Sequence, residues 1–282
     1  MNSVPMNSYE KNVLDKELIK ISIVIPAFNE ADRIPKTLKT YVSYMLDQYK
    51  HFEVVVVDDG STDGTSNVVQ VVSKDLGVPS EEIEFSSTNA EVRCSSTDIS
   101  VLCLRLSQNV GKGQALRYGV QYSDPRCNFI LVADADGSGD IRCLGNMVDG
   151  AIENYPQDTI VCGIRKRESV TFKRSLLTWG FKTAVQILCW PVINGVDDTQ
   201  CGFKLLPRNI ALLLYDNLHI RGWAYDVELV FLASLYASKN RFLLLQKPVN
   251  WTDEPGSKLV DNSFIGTAKV TEIILSKLAS FL

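Results

Sequence analysis

The chain has 282 residues, 45% of them hydrophobic and 22% charged, with a formal net charge of −4. That length suits one large α/β domain or two small ones, and the mildly acidic balance excludes a basic nucleic-acid-binding surface. The seven cysteines include no C-x-x-C pair and no His/Cys zinc spacing, which points to reduced thiols in a cytosolic setting rather than a disulfide framework.

Residues 1–20 read as a polar tail without the apolar stretch of a signal peptide. Ile21-Ser22-Ile23-Val24-Ile25-Pro26 is the first expected strand, broken by the Pro26–Glu30 segment. A helical pattern runs from about Ala31 to Gln48, with Ile34, Leu38, Val42, Met45 and Leu46 on one face. Phe52–Val57 is a second buried strand, closed by Asp58-Asp59-Gly60-Ser61-Thr62-Asp63. Thr62 or Asp63 is expected to cap a helix over Thr65–Asp75. Residues 77–100 are rich in Ser, Thr and Glu and read as a loop or flexible insertion. Val101–Leu106 resumes the strand pattern, and Asn109-Val110-Gly111-Lys112-Gly113 opens a helix to about Tyr122.

Phe129–Ala133 is an apolar run that ends in Asp134-Ala135-Asp136-Gly137. A helix near Ile141–Asn154 and a strand over Thr159–Gly163 follow. Phe172–Trp190 reads as an apolar helix, 197–204 as a polar, Gly-interrupted stretch, and Gly222–Glu228 as the lead into a helix reaching Ser238. Phe242–Val249 reads as a strand, 251–258 as a loop and Ser263–Leu282 as an amphipathic helix. No run of about 20 apolar residues suggests a bilayer-spanning helix.

Strands alternating with helices predict an α/β fold, a mostly parallel sheet flanked by helices on both faces. Asn29, Asp58, Asp59, Asp134 and Asp136 would then share the carboxyl edge, where open α/β sheets bind ligands. Residues i and i+2 of a strand point the same way, so Asp134 and Asp136 are expected to face one point. Two hard oxygen ligands suit Mg²⁺ or Mn²⁺ shared with substrate phosphates. Solvated turn aspartates are the plain alternative. A nucleotide diphosphate would suit this edge, with Asn29 and Asp59 on a base or ribose.

Gly111-Lys112-Gly113 is no dinucleotide fingerprint, because Leu116 stands where a third small residue belongs. Gln114 after Gly113 excludes a P-loop, and no G-x-S-x-G element suggests a hydrolase. What remains is a Gly-rich turn that carries Lys112 to a ligand, or a simple strand-to-helix turn.

Pro26-x-x-Asn29-Glu30, Asp58-Asp59-Gly60-Ser61-x-Asp63, Asn109-x-Gly111-Lys112-Gly113 and Asp134-x-Asp136-Gly137 together resemble the family-two inverting glycosyltransferases of the nucleotide-diphospho-sugar transferase (GT-A) fold. Asp198–Lys204, Trp223–Glu228, Val249–Thr252 and Gly256–Leu259 resemble the dolichyl-phosphate β-glucosyltransferase branch of that family. The likeness covers about residues 20–260, apart from 77–100.

The resemblance implies transfer of glucose from UDP-glucose to dolichyl phosphate, with Mg²⁺ or Mn²⁺, for N-glycan precursor assembly. It places the chain at a membrane interface on the cytosolic face of the endoplasmic reticulum, with no nucleic-acid partner. It assigns the nucleotide sugar to Pro26, Asn29, Glu30, Asp58, Asp59, Gly111, Lys112, Asp134 and Gln200, and the metal to Asp134 and Asp136. Asp226 matches an acceptor-side base, Asp136 and Lys204 join it as catalytic candidates, and Lys204 and the basic run Arg165-Lys166-Arg167 are candidates for the acceptor phosphate. The implied layout is a tail over 1–20, a GT-A domain over 21–250 and an acceptor-side or membrane-side extension over 251–282.

A phosphate monoester is mostly dianionic at pH 7. Asp226 is therefore expected to orient a sugar or a basic residue rather than take a proton, and Asp226→Asn to cut turnover less than Asp136→Ala. The 172–190 and 263–282 helices are interfacial anchors or ordinary core. The residues alone leave open a GDP-mannose-using polyprenyl-phosphate mannosyltransferase and a non-catalytic sugar-nucleotide-binding protein at the membrane.

Overall fold

The computed structural model describes residues 18–85, 97–167, 195–239 and 241–252. The tail up to residue 17, the expected helices over 172–190 and 263–282, and the loop beyond Thr252 lie outside the described residues.

The first half follows the apolar runs. β1 spans Lys20–Ala27, α1 Ile34–Gln48, β2 His51–Asp58, α2 Thr65–Asp75, β4 Ile99–Arg105, α3 Lys112–Tyr122 and β5 Phe129–Val132. Strands β1, β2, β4 and β5 are parallel neighbours. Their side chains alternate between two cores, as the pleat requires. Ile21, Ile23, Ile25, Phe52, Val54 and Val56 pack with α1 and α2, whereas Val24, Val55 and Val57 pack with α3. Each fully buried aliphatic side chain contributes roughly 1.5–3 kcal/mol, which is why unbroken Val/Ile runs become central strands.

Several expectations need correction. Ser80–Glu84, placed in a loop, forms strand β3, a parallel edge strand beside β4. Its side chains are exposed except for half-buried Ile83, so it lacks the apolar signal. The helix expected over 141–154 opens with a 3₁₀ turn, Ile141–Cys143, before α4 at Leu144–Ile152. Helix α1 starts at Ile34 rather than Ala31, with Pro35 in its first turn. Gly64, in the left-handed region at φ 85, begins α2, and Asp63 satisfies the Thr65 N–H from one residue earlier.

β6 runs Thr159–Arg167, longer than expected, and β8 runs Leu243–Trp251, past the expected domain boundary at 250. Between them lie β7, Lys204–Pro207, and two helices, α5 at Arg208–Asp216 and α6 at Tyr225–Ser238. The sheet order is β3-β4-β2-β1-β5-β7-β6-β8. β7 is antiparallel to both of its neighbours, so the sheet is mostly rather than wholly parallel. This reversal matters for the site. Lys204, the first residue of β7, lies opposite Val132, the last of β5. The 197–203 segment therefore reaches the same carboxyl edge as Asp58 and Asp134.

Charges at the opposite edge are mutually satisfied. Lys20 meets buried Asp124 at 2.7 Å, Arg126 forks onto the same carboxylate, and buried Glu53 accepts from Ser22 and the Asp124 N–H. Among the described residues no helix is long and apolar enough to cross a membrane.

Candidate active site

The carboxyl edge presents more backbone N–H groups than the strands can bond, and side chains from neighbouring turns take them up. Asn29 sits in the left-handed region at φ 53, where Asn is tolerated. Its N–H donates to Ser61 Oγ at 2.8 Å, and its Oδ1 accepts from the Thr62 N–H at 2.9 Å. Asp58 Oδ1 accepts from the Ser61 N–H at 3.0 Å. The Arg33 guanidinium forks onto Glu30 at 2.6 and 2.5 Å. Asp59 accepts from the Val110 N–H at 2.7 Å and the Gly111 N–H at 3.0 Å. Residues expected to touch a nucleotide thus first fasten the β1, β2 and β4 turns to one another, with half-buried Pro26 opening the first of them.

Burial pushes the Asp59 carboxyl up, the Val110 and Gly111 N–H groups pull it down, and it ends at about 6 against an ordinary 3.8. A carboxyl raised on folding adds stability that is complete below about pH 4 and lost as pH rises through 6. Lowering the pH from 7.5 to 5.5 is therefore expected to stabilise the chain through Asp59 by about 1 kcal/mol. The gain should be missing in Asp59→Asn when urea midpoints of the two proteins are compared. An equal pH response in both would contradict it.

Lys112 begins α3. Its Nζ donates to Asp134 Oδ1 at 2.6 Å and lies 4.8 Å from the ring centroid of Trp223. Burial opposes the ammonium charge, but Asp134 and Asp226 outweigh it and raise the pKa. The Gly113 and Gln114 N–H groups donate to the Arg221 carbonyl at 2.7 and 3.2 Å. A Cβ at Gly113 would fall on Ile220 O and Tyr225 Cβ, so glycine is what lets α3 seat there. Buried Glu228 holds the facing segment by accepting from the His219 and Ile220 N–H groups at 2.9 and 2.7 Å. Four N–H groups of the Gly111–Gly113 turn region thus have protein acceptors. The turn delivers Lys112 and is no bare phosphate cradle.

The two aspartates of the Asp134-Ala135-Asp136 segment do not extend a strand. β5 ends at Val132, and a turn follows in which the Gly137 N–H meets Asp134 O at 3.2 Å. Asp134 is held by Lys112, and Gly202 packs so closely that any Cβ would land on the Asp134 carboxylate. Asp136 instead lines a cavity of about 490 Å³ beside α1. Its Oδ1 accepts from the Ser138 N–H at 3.0 Å. Both carboxylates, after burial itself, help hold the Tyr41 hydroxyl well above its ordinary pKa, and that hydroxyl donates to Gly139 O at 2.7 Å. The pair is thus set by a turn rather than by strand alternation, with Lys112 fixing Asp134 and the Ser138 N–H fixing Asp136.

Lys204 and Arg165 are also placed differently from expectation. Lys204 is 1% exposed; its Nζ donates to Asp226 at 2.5 Å and to the Cys201 carbonyl. Burial lowers its pKa, Asp226 raises it more, and it stays an ammonium. A group so enclosed does not reach an acceptor. The Arg165 guanidinium grips Asp198 at 2.7 and 2.8 Å and lies 5.5 Å from the Trp251 ring. Arg167 is the last residue of β6, paired with Trp251, and its side chain lies outside the described set. Gln200 is half-buried in the turn before β7.

Among the described residues no three His, Cys, Asp or Glu side chains form a metal cage. The donor set is one carboxylate, Asp136, without a cationic partner among the described residues, and one, Asp134, matched to a lysine. That fits a hard divalent ion whose shell is completed by phosphate oxygens and water.

Sequence reasoning missed Trp223 and Lys36. Trp223 is 46% exposed over Lys112. Lys36 is a surface lysine of α1, with no sequence signal. Lys166, inside the basic run expected at the acceptor phosphate, is exposed, whereas Arg165 is half-buried against Asp198.

Residues 22–205 match the profile of the family described as Glycosyl transferase family 2. The chain is 34% identical to dolichyl-phosphate beta-glucosyltransferase of Homo sapiens over 263 residues, 88% of this chain and 72% of that one. It is 32% identical to the Saccharomyces cerevisiae protein of the same name over 261 residues, 87% and 70% of the two chains. Among solved structures, glucosyl-3-phosphoglycerate synthase from Mycobacterium tuberculosis in complex with Mn²⁺ and UDP-glucose matches with a TM-score of 0.63 at 15% identity, covering 98% of this chain and 84% of that one.

Proposed function

The chain belongs to glycosyl transferase family 2, and from that membership we propose that it transfers glucose from UDP-glucose to dolichyl phosphate with inversion, supplying a glucosyl donor for N-glycan precursor assembly. The observation that carries this reading is the 34% identity, over 88% of the chain, to proteins named dolichyl-phosphate beta-glucosyltransferase.

The nucleotide lies along the fastened Asn29–Glu30 and Asp58–Asp59 turns. Asp136 would hold Mg²⁺ or Mn²⁺, which supplies counter-charge to the departing diphosphate. Lys112, fixed by Asp134 on one side and Trp223 on the other, brings a second positive charge to the same edge of the sheet. An oxygen of the acceptor phosphate attacks the anomeric carbon from the face opposite the leaving group. The new C–O bond forms as the bond to UDP breaks. A dianionic acceptor has no proton to lose, so the step needs no base. Asp226, paired with Lys204 and within electrostatic reach of Lys112, is a positioning residue in this scheme. On this reading the chain works at the cytosolic face of the endoplasmic reticulum, where its lipid acceptor and nucleotide-sugar donor meet.

The test is a thermal-shift panel of UDP, GDP and their sugars with and without Mn²⁺, followed by turnover with a short polyprenyl phosphate. UDP-glucose is expected to stabilise the chain only with the metal and to be consumed with the lipid phosphate. A preference for GDP-mannose, or binding without turnover, would overturn the assignment.

A further inference from the structure

Gly202 stands where a side chain would have nowhere to go. The antiparallel pairing of β5 with β7 sets Val132 opposite Lys204, and the same register carried two residues further sets Asp134 opposite Gly202. A Cβ built on Gly202 would lie 2.7 Å from Asp134 Cγ, 2.8 Å from Oδ1 and closer still to Oδ2, all atoms of that one carboxylate. The Gly202 backbone is outside the left-handed region, so its dihedrals do not require glycine. What the absent side chain accommodates is the Asp134 carboxylate.

The segment that carries Gly202 is fixed from its other side. Lys204 Nζ, enclosed with Asp226, donates to the Cys201 carbonyl. The Gly163 N–H donates to Phe203 O at 3.0 Å. The Phe203 ring packs so closely on Gly139 that a Cβ there would lie 2.6 Å from it. Cys201, Gly202, Phe203 and Lys204 are all buried. The Asp134 carboxylate is thus the movable member of its contact with Gly202. It also accepts from Lys112 Nζ at 2.6 Å, and the Lys112 and Asp134 side chains are 10% and 20% exposed. Displacing this carboxylate costs the fold little, because it is the end of a side chain that reaches solvent. It does leave Lys112 without its anchor.

We propose that Gly202 is a positioning residue of the reaction: its bare Cα is the seat that holds the Asp134 carboxylate against Lys112, and so fixes the ammonium beside the donor diphosphate. The seat is anchored by Lys204, the partner of Asp226, so the Lys204–Asp226 and Lys112–Asp134 pairs share one buried peptide between them. The proposal rests on the donor reading of this edge given under the proposed function. A methyl group at position 202 drives the carboxylate off its seat, and Lys112 then loses a charge-assisted hydrogen bond.

The test uses the full chain with Gly202→Ala, Asp134→Ala and the double variant. The calorimetric affinity for UDP with Mn²⁺ is expected to weaken about tenfold in Gly202→Ala, and kcat with UDP-glucose and a short isoprenyl phosphate to fall at least as far. The acceptor KM should not move. Acylation of Lys112 by an amine-reactive reagent, followed by mass spectrometry on the unliganded chain, should speed up in Gly202→Ala as in Asp134→Ala. The double variant should match Asp134→Ala in every one of these readings, because the added methyl then has no carboxylate to displace. Losses that add in the double variant would overturn the proposal, as would a Gly202→Ala protein that binds, turns over and labels like wild type. If Gly202→Ala lowers the thermal midpoint, the double variant should restore it to that of Asp134→Ala. A midpoint that stays low means that the methyl collides with something other than Asp134, and the seat is overturned. If wild type binds no uridine nucleotide with metal, the donor reading has failed and Lys112 labelling alone judges the seat; if it binds and the labelling does not respond, the seat alone has failed.

Discussion

Replacing Asp136 with alanine is expected to lower glucose transfer about a thousandfold while the protein stays folded. Asp136 is half-buried at the cavity wall, and Ser138 steadies one of its oxygens. The nearby Asp140 carboxylate is engaged by Arg142 and is no substitute. A unit charge pair about 4 Å apart at an effective dielectric near 20 is worth roughly 4 kcal/mol, and each 1.36 kcal/mol in a barrier is tenfold in rate. Steady-state kcat would measure the loss, and added Mn²⁺ should not recover it. Stripping wild type with a chelator should mimic the variant and be reversed by metal. UDP binding should lose its metal dependence in Asp136→Ala while the thermal midpoint of the unliganded chain holds. Activity within tenfold of wild type would remove Asp136 from the chemistry.

The second large effect is on stability. Asp226→Asn leaves the Lys204 ammonium buried without its partner carboxylate, at a site where the two side chains are 7% and 1% exposed. Breaking such a pair costs about 3–5 kcal/mol, whereas replacing both members by apolar groups of similar volume is close to neutral or stabilising. Asp226→Asn should therefore lower the urea midpoint strongly at constant m-value, and Asp226→Leu combined with Lys204→Met should recover most of it. Turnover per folded molecule should fall less in Asp226→Asn than in Asp136→Ala. A variant with an unchanged midpoint, a collapsed kcat and an altered pH–rate profile would instead make Asp226 a proton acceptor.

The parts of the fold legible from sequence were those whose burial is periodic. β1, β2, β4 and β5 are apolar on both faces and announce themselves, and α2 falls on Thr65–Asp75 as its pattern predicts. β3 did not, because an edge strand of Ser80, Glu81, Glu82, Ile83 and Glu84 has almost nothing to bury. β7 did not, because a four-residue strand opening on a buried lysine and closing on proline violates the usual strand composition. The site followed the same division. Carboxylates at the ends of parallel strands were placed on one edge by topology alone. Their partners were not, since Lys204 meeting Asp226, Asp59 meeting Val110 and Asp134 meeting Lys112 depend on how turns from distant strands fold over one another.

The reversed direction of β7 has a bearing on how the molecule could be re-engineered. β6 leaves the sheet and β7 re-enters it as adjacent antiparallel neighbours, with Cys162 opposite Lys204 and the Gly163 N–H bonded to Phe203 O at 3.0 Å. The sheet itself therefore sets no length for the connection between these two strands, and insertions within it are compatible with the Val161–Leu205 and Cys162–Lys204 pairs.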